Sequence, residues 1–158
     1  MKPATITELK NELKQLPPAE LVELCLRLTK YKLENKELLN YLLFEAHDED
    51  EFAKKIEALV QQQFAEMTKG SQYLVKKGVR KILRLLNKHI KYSGKKATEV
   101  QLRLFFCRCM KQTVTMRYNT YLTNLYEQQL KKIRAAIDKL HEDLQYDFQK
   151  ELEQLEKQ

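Results

Sequence analysis

From Ala97 to Gln158 the chain contains neither glycine nor proline. So long a stretch without a residue that breaks an α-helix, and with apolar residues spaced three and four apart, leaves a helical fold as the one it specifies best. The rest of the chain agrees. Glycine and proline number three each in 158 residues. Leu, Lys, Glu and Gln dominate, and all four are strong helix formers. The expected fold is all-α: a bundle or short right-handed stack of about seven helices in a single domain over residues 1–158.

The periodicities place the helices. "TITELKNELKQL" spaces Ile6, Leu9, Leu13 and Leu16 for one buried face, with Thr5 or Thr7 as N-cap. Pro17 and Pro18 end that helix and open the next. The second helix should bury Leu21, Leu24, Cys25 and Leu28. A third, starting at a cap-like Asn35, should bury Leu38, Leu39, Leu42 and Leu43. Asp48 followed by Glu51 is a capping pattern. It opens a fourth helix whose face is Phe52, Ile56, Leu59, Val60 and Phe64. The fifth runs roughly from Ser71 to Tyr92 and stops at Ser93-Gly94. The sixth starts near Thr98, and β-branched residues and Asn in "TVTMRYNT" end it. Residues 122–158 read as one long amphipathic C-terminal helix, striped by Leu130, Ile133, Ile137, Leu140, Leu144, Leu152 and Leu155. At 1.5 Å per residue it would reach about 55 Å, so its end should project or pack on a partner.

Charge is the second strong feature. The net charge is +7, yet Met67 to Tyr126 holds fourteen Lys and Arg against one acid, Glu99. Within the fifth helix, Val75, Val79, Ile82, Leu86 and Ile90 form an apolar stripe. Lys77, Lys81, Arg84, Lys88 and Lys91 form another, with Arg80 beside it. Ordinary solvated helices intersperse Glu among Lys to gain pairs at i,i+4; here like charges repel by a few tenths of a kcal/mol per pair. Three things could offset that repulsion: an RNA or DNA backbone, an acidic protein or lipid surface, or the chain's own acidic stretch of Glu45, Asp48, Glu49, Asp50, Glu51 and Glu57. Arg103, Arg108, Lys111 and Arg117 extend the basic region. Tyr118 and Tyr121 could stack on unpaired bases or simply edge the core.

Two stretches carry resemblances. "TITELKNELKQLPPAELVELCLRL" is similar to a SAP-type helix-turn-helix, which implies a DNA-binding module. The turn departs from that pattern: it reads "PPAE" where Gly and a basic residue are usual, and acidic Glu20 and Glu23 stand where phosphate contacts would be. Those thirty residues therefore read as a helical hairpin for packing. "LTKYKLENKELLNYLLFEAHDEDEF" and "GVRKILRLLNKHIKYSG" resemble an uncharacterised family of small bacterial helical proteins. That resemblance implies a cytoplasmic bacterial protein and nothing about mechanism.

Chemistry-bearing patterns are scarce. Cys25, Cys107 and Cys109 are an odd count, and reduced thiols suit the cytoplasm. Two thiols one residue apart point to different sides of a helix and do not make a metal pair. His47, His89 and His141 are scattered, no Glu-x-x-His pair occurs, and the glycines are isolated. The expectation is a protein without catalytic residues, metal or cofactor, and without a membrane span. It would bind nucleic-acid backbone non-specifically through Lys77, Arg80, Lys81, Arg84, Lys88 and Lys91. The alternative is a scaffold that associates with itself or another protein through the C-terminal helix.

Overall fold

The computed structural model describes residues 1–157. It is all-helical, with eight α-helices and no strand among the described residues. Contacts divide the chain into two compact units, Met1–Phe44 and Glu45–Gln158, where the sequence predicts a single domain.

The first unit holds α1 (Ile6–Gln15), α2 (Pro18–Tyr31) and α3 (Leu33–Asn40). Thr5 caps α1 in a full capping box with Glu8, and Pro18 opens α2. Asn35 does not cap α3. Its Nδ2 donates instead to the Leu28 carbonyl at 2.8 Å, tying α3 to the last turn of α2. None of the three helices has a buried residue. Ile6, Leu9, Leu13, Leu24, Cys25, Leu28, Leu42 and Leu43, all expected inside, are exposed. So few residues cannot enclose a core, because the fraction of surface a chain can bury shrinks as the chain gets shorter. Tyr41, in a π-helical turn at Tyr41–Glu45, is the buried residue of this unit.

The second unit contains the core. It comprises α4 (Glu49–Glu66), α5 (Gln72–Ser93), α6 (Lys96–Thr113), α7 (Thr120–Ile137) and α8 (Glu142–Lys157). Helix α6 is central: α4, α5, α7 and α8 all pack against it. Its sequence explains why. "VQLRLFFCRCM" carries apolar residues around most of its circumference, with Arg108 on the side left to solvent, and a helix so widely apolar must be largely surrounded. Val100, Leu102, Leu104, Phe106, Cys107 and Met110 are accordingly buried. The outer helices are amphipathic and turn one stripe inward. That stripe is Phe52, Ile56, Val60 and Phe64 on α4, and Val79, Ile82, Leu86 and Ile90 on α5.

The helix ends follow local chemistry. Asp48 accepts from the Glu51 amide at 3.0 Å to start α4. Ser71 accepts from the Leu74 amide at 3.2 Å to start α5. Gly94, in the left-handed region at φ 66°, ends α5. Helix α6 begins at Lys96, two residues before the expected Thr98.

The long C-terminal helix over 122–158 is not formed. It breaks after Ile137 and resumes at Glu142. The apolar stripe explains the break. Leu130, Ile133 and Ile137 are buried, Leu140 is half-buried and Leu144 is exposed, while burial resumes at Leu152 and Leu155. Folding back lets these last two leucines reach the unit's core, which a straight rod would leave in water. Gln145 Nε2 donates to the Leu140 carbonyl at 2.9 Å, satisfying an acceptor freed by the turn. Lys111 Nζ donates to the Leu155 carbonyl at 2.6 Å and ties α8 to α6. Most of the stripe is therefore used within the unit, Leu144 remaining exposed, and no single straight helix projects.

The "TVTMRYNT" break is present, and Asn119 is its anchor. Asn119 is buried; its Oδ1 accepts from the Leu122 amide at 3.1 Å, and its Nδ2 donates to Gln72 Oε1 at 2.6 Å. Asn119→Ala should therefore destabilise the unit by about 2 kcal/mol, the sum expected for a lost cap and a lost buried hydrogen bond. Urea denaturation followed by circular dichroism would measure it, and a loss near zero would show that the cap is dispensable.

Candidate polyanion interface

Helices α5 and α7 both lie on α6 and meet each other only sparsely, so a groove runs between them. It is lined by Arg80, Leu83, Arg84 and Asn87 of α5 and by Tyr121, Asn124, Leu125 and Gln128 of α7, around about 410 Å³. Beyond Asn87 it opens into a cleft of about 500 Å³ at the α5–α6 corner, where Lys91, Lys95, Lys96, Arg103 and Lys132 gather around Glu99. A second groove, of about 370 Å³, lies on the other side of α5. Lys77 and Lys81 line it opposite Gln63, Glu66 and Met67.

The six cations expected to act together are thus distributed over two flanks of one helix. Arg80, Arg84 and Lys91 face the α7 side. Lys77 and Lys81 face the α4 side, where Glu66 stands. All five are exposed, and none is in an ion pair among the described residues. Lys88 departs from the expected ridge: it is half-buried and engaged within the protein.

The acidic stretch does not cover these five. Asp48 is spent as the α4 cap, and Glu51 pairs with Lys55 at 3.2 Å. Glu49 accepts from Ser93 Oγ at 2.9 Å and Thr98 Oγ1 at 2.6 Å; Glu57 accepts from Gln101 Nε2 at 2.9 Å. Glu49 thus meets hydroxyls at the end of α5 and the start of α6, and Glu57 an amide on α6, rather than any of these five cations.

The cleft floor is a buried polar network. Arg103 is 5% exposed. Its Nε donates to Glu99 Oε1 at 3.0 Å, and its Nη1 to Asn87 Oδ1 at 3.0 Å and Gln129 Oε1 at 2.8 Å. Glu99 also holds Lys96 at 2.9 Å. Burial raises the Glu99 carboxyl, but hydrogen bonds from Lys96 and Arg103, with the charge of both, outweigh it and hold the group below the ordinary carboxylate range. Tyr121 is 41% exposed on the groove wall, with Lys76 Nζ 5.5 Å over its ring. Tyr118 is largely in solvent beside the Arg117 guanidinium.

Lys95, Lys96, Arg103 and Lys132 join this surface although the basic stripe of α5 does not include them. Lys132 sits 41 positions after Lys91, and only the shared packing of α5 and α7 on α6 brings the two to one cleft. Its signal, a lysine on the face of α7 opposite Leu130 and Ile133, is common to every solvated position.

The thiols are not part of the surface. Burial pushes Cys107 up to about 12 and raises Cys109 as well, so both stay protonated at neutral pH. Cys25 is exposed rather than packed on an apolar face. Among the described residues no group of His, Cys, Asp or Glu is placed to hold a metal, and no helix is long and apolar enough to cross a membrane. No family model matches this chain, and no curated protein and no solved structure matches it either.

Because the folded-state pKa of Glu99 is depressed, its contribution to stability is present above the ordinary carboxylate range and disappears as pH falls through the lowered value. The wild type should lose stability between about pH 5 and pH 3 more steeply than Glu99→Gln. Denaturation midpoints across that range would show it; parallel curves would mean that Glu99 contributes nothing specific.

Proposed function

We propose that the second unit binds nucleic-acid backbone non-enzymatically, along α5 and the groove it forms with α7. The supporting observation is that five exposed cations, Lys77, Arg80, Lys81, Arg84 and Lys91, run along one helix with no ion pair among the described residues. Arg80, Arg84 and Lys91, on the α7 side, span about 16 Å of helix, enough to follow successive phosphates, while Lys77 and Lys81 add positive charge on the other flank. Their mutual repulsion is relieved when phosphates replace diffuse counterions, and release of those counterions drives association. Arg80 and Arg84, lining the groove, supply planar forks suited to phosphate oxygens. Such contacts carry no sequence information, so binding would be tolerant of sequence and steep in its salt dependence.

Changing Arg80, Arg84 and Lys91 together to Gln should lower the slope of log K against log salt by about two to three, and weaken binding by an order of magnitude or more at low salt. Lys54→Gln with Lys55→Gln, on the exposed side of α4, should leave both unchanged. Fluorescence anisotropy with a labelled oligonucleotide reads both quantities. An unaltered slope in the triple variant removes the reading. Lys88 is left out because its replacement would disturb an internal interaction.

A second reading, self-association, rests on the first unit. Val22, Leu26 and Leu28 on α2 and Leu42, Leu43 and Phe44 beyond α3 are all around half exposed or more. Contiguous apolar surface of several hundred Å² is a mark of an interface. With seven basic and six acidic residues in positions 1–44, that surface has no charge bias against a copy of itself. Light scattering should then report a mass above the 18.9 kDa of one chain, falling to it in Val22→Glu with Leu26→Glu. A wild-type chain monomeric at every concentration would end this reading.

A further inference from the structure

We propose that the cleft at the α5–α6 corner is a binding site for a phosphate monoester, gripped by Arg103 on its floor and by Lys91, Lys95, Lys96 and Lys132 on its walls. The inference goes beyond backbone binding and does not require it.

Its basis is an imbalance inside one enclosure. Five cations and a single carboxylate line the cleft. Glu99 serves two of those cations, Lys96 at 2.9 Å and Arg103 at 3.0 Å. Lys91, Lys95 and Lys132 have no ion pair among the described residues. Arg103 is buried, which is costly for a charge unless its donors are met. Nε and Nη1 are met by Glu99, Asn87 and Gln129. Nη2 donates no hydrogen bond among the described residues and is not one of their buried unpartnered atoms, so it is the nitrogen left open to solvent. A buried guanidinium with one nitrogen to spare, at the edge of a cleft with surplus positive charge, is what an incoming oxyanion needs.

The neighbouring backbone supports the same ligand. Helix α6 starts at this cleft, and its cap position, Lys95, makes no side-chain cap hydrogen bond; Glu49 of α4 meets the first turn at the Thr98 hydroxyl. Its leading amides and the positive end of its dipole favour an anion there. Gly94 lines the cleft with no side chain of its own.

The charge selects the ligand class. With Glu99 subtracted, the cleft holds a surplus of four positive charges. A phosphodiester offers one negative charge, while a monoester offers nearly two and three acceptor oxygens. Glu99 repels any anion, but the five cations around it outnumber it, so the net attraction grows with the ligand's charge and favours a dianion over a singly charged carboxylate. The monoester could come from a free small molecule or from the end of a strand lying in the adjoining groove, which meets the cleft at Asn87.

The test is an amide-detected NMR titration of the full chain with inorganic phosphate, against sodium chloride at matched ionic strength. Saturable shifts are expected at Gly94, Lys95, Lys96 and Arg103, with affinity about tenfold weaker or worse in Lys95→Gln with Lys132→Gln. Both lysines are exposed and unpaired, so the variant should fold, and circular dichroism checks that. No saturable shift, or equal affinity in the variant, overturns the proposal. Competition then separates the sources. If a 5′- or 3′-phosphorylated oligonucleotide displaces phosphate better than its unphosphorylated counterpart, the cleft holds a strand end. If a mononucleotide displaces phosphate and no oligonucleotide binds, the cleft stands and backbone binding falls. If oligonucleotides bind alike with or without a terminal phosphate, and phosphate leaves these amides unmoved, the cleft falls and backbone binding stands.

Discussion

The second unit depends on the burial of α6 by four helices. Four amphipathic helices each have one apolar stripe to hide, and α6 is the one element apolar enough to receive them all. Cutting a large side chain here, such as Phe106 or Leu102, would open a cavity touching several helices at once. The same burial brings an ionised group inside. Arg103 lies on the α6 surface toward α5 and α7, and three different helices supply its acceptors: Glu99 from α6 itself, Asn87 from α5 and Gln129 from α7. A fully apolar seam would hold the helices together without preferring one register. Arg103 is satisfied in only one, because Asn87 and Gln129 must reach the same nitrogen.

From that arrangement the groove follows without further design. Two helices that both pack on a third stand too far apart to close on each other along their outer edges, and the gap is lined by whatever flanks their apolar stripes. On α5 the flanking residues are Arg80, Arg84, Asn87 and Lys91; on α7 they are Tyr121, Asn124, Gln128 and Lys132. One wall is cationic and the other mostly uncharged and hydrogen-bonding, with a tyrosine at one end and a lysine at the other. The cleft forms where the turn at Gly94 carries the chain from α5 into α6, bringing the uncapped start of α6 beside the floor residue Arg103.

How far the sequence foretells this differs between the two units, for a physical reason. In the second unit the stripes of α4 and α5 are buried as the spacing predicts except for Leu59 and Val75, which are half-buried, and Asp48, Ser71 and Gly94 act where their side chains and backbone preferences put them. Periodicity works there because a partner helix exists for each stripe. In the first unit Ile6, Leu9 and Leu13 have the same spacing and stay exposed. Spacing states which residues share a face, not whether anything covers it. The break at residues 138–141 has no Gly or Pro to announce it. It exists because Leu152 and Leu155 gain more by returning to the core than the straight helix gains by continuing, a tertiary effect that overrides local propensity. Within the candidate site, Arg80, Arg84 and Lys91 are legible as one stripe, whereas Lys132 needs the topology and Lys88 is diverted by an internal contact.

The positive surface is a matter of where the carboxylates went rather than how many there are. Twenty-two acids face twenty-nine bases in the whole chain, a modest excess that random mixing would scatter. Instead Asp48 closes a helix start, Glu49 and Glu57 turn toward donors on or beside α6, and Glu99 is held on the cleft floor between Lys96 and Arg103. On α8, Glu151 and Glu156 meet Arg108 and Arg134. Each of these acids is engaged at a helix start, a hydroxyl or amide, or an ion pair, and none of them pairs with Lys77, Arg80, Lys81, Arg84 or Lys91. The outer face of α5 keeps its repulsion, a few tenths of a kcal/mol for each like pair. A unit held by so many other contacts tolerates it easily, so folding alone exerts little pressure to remove it. The repulsion therefore does not by itself prove a ligand. What distinguishes the α5–α7 side is that uncovered charge, a concave wall of amides and a buried guanidinium with a donor to spare converge on one groove.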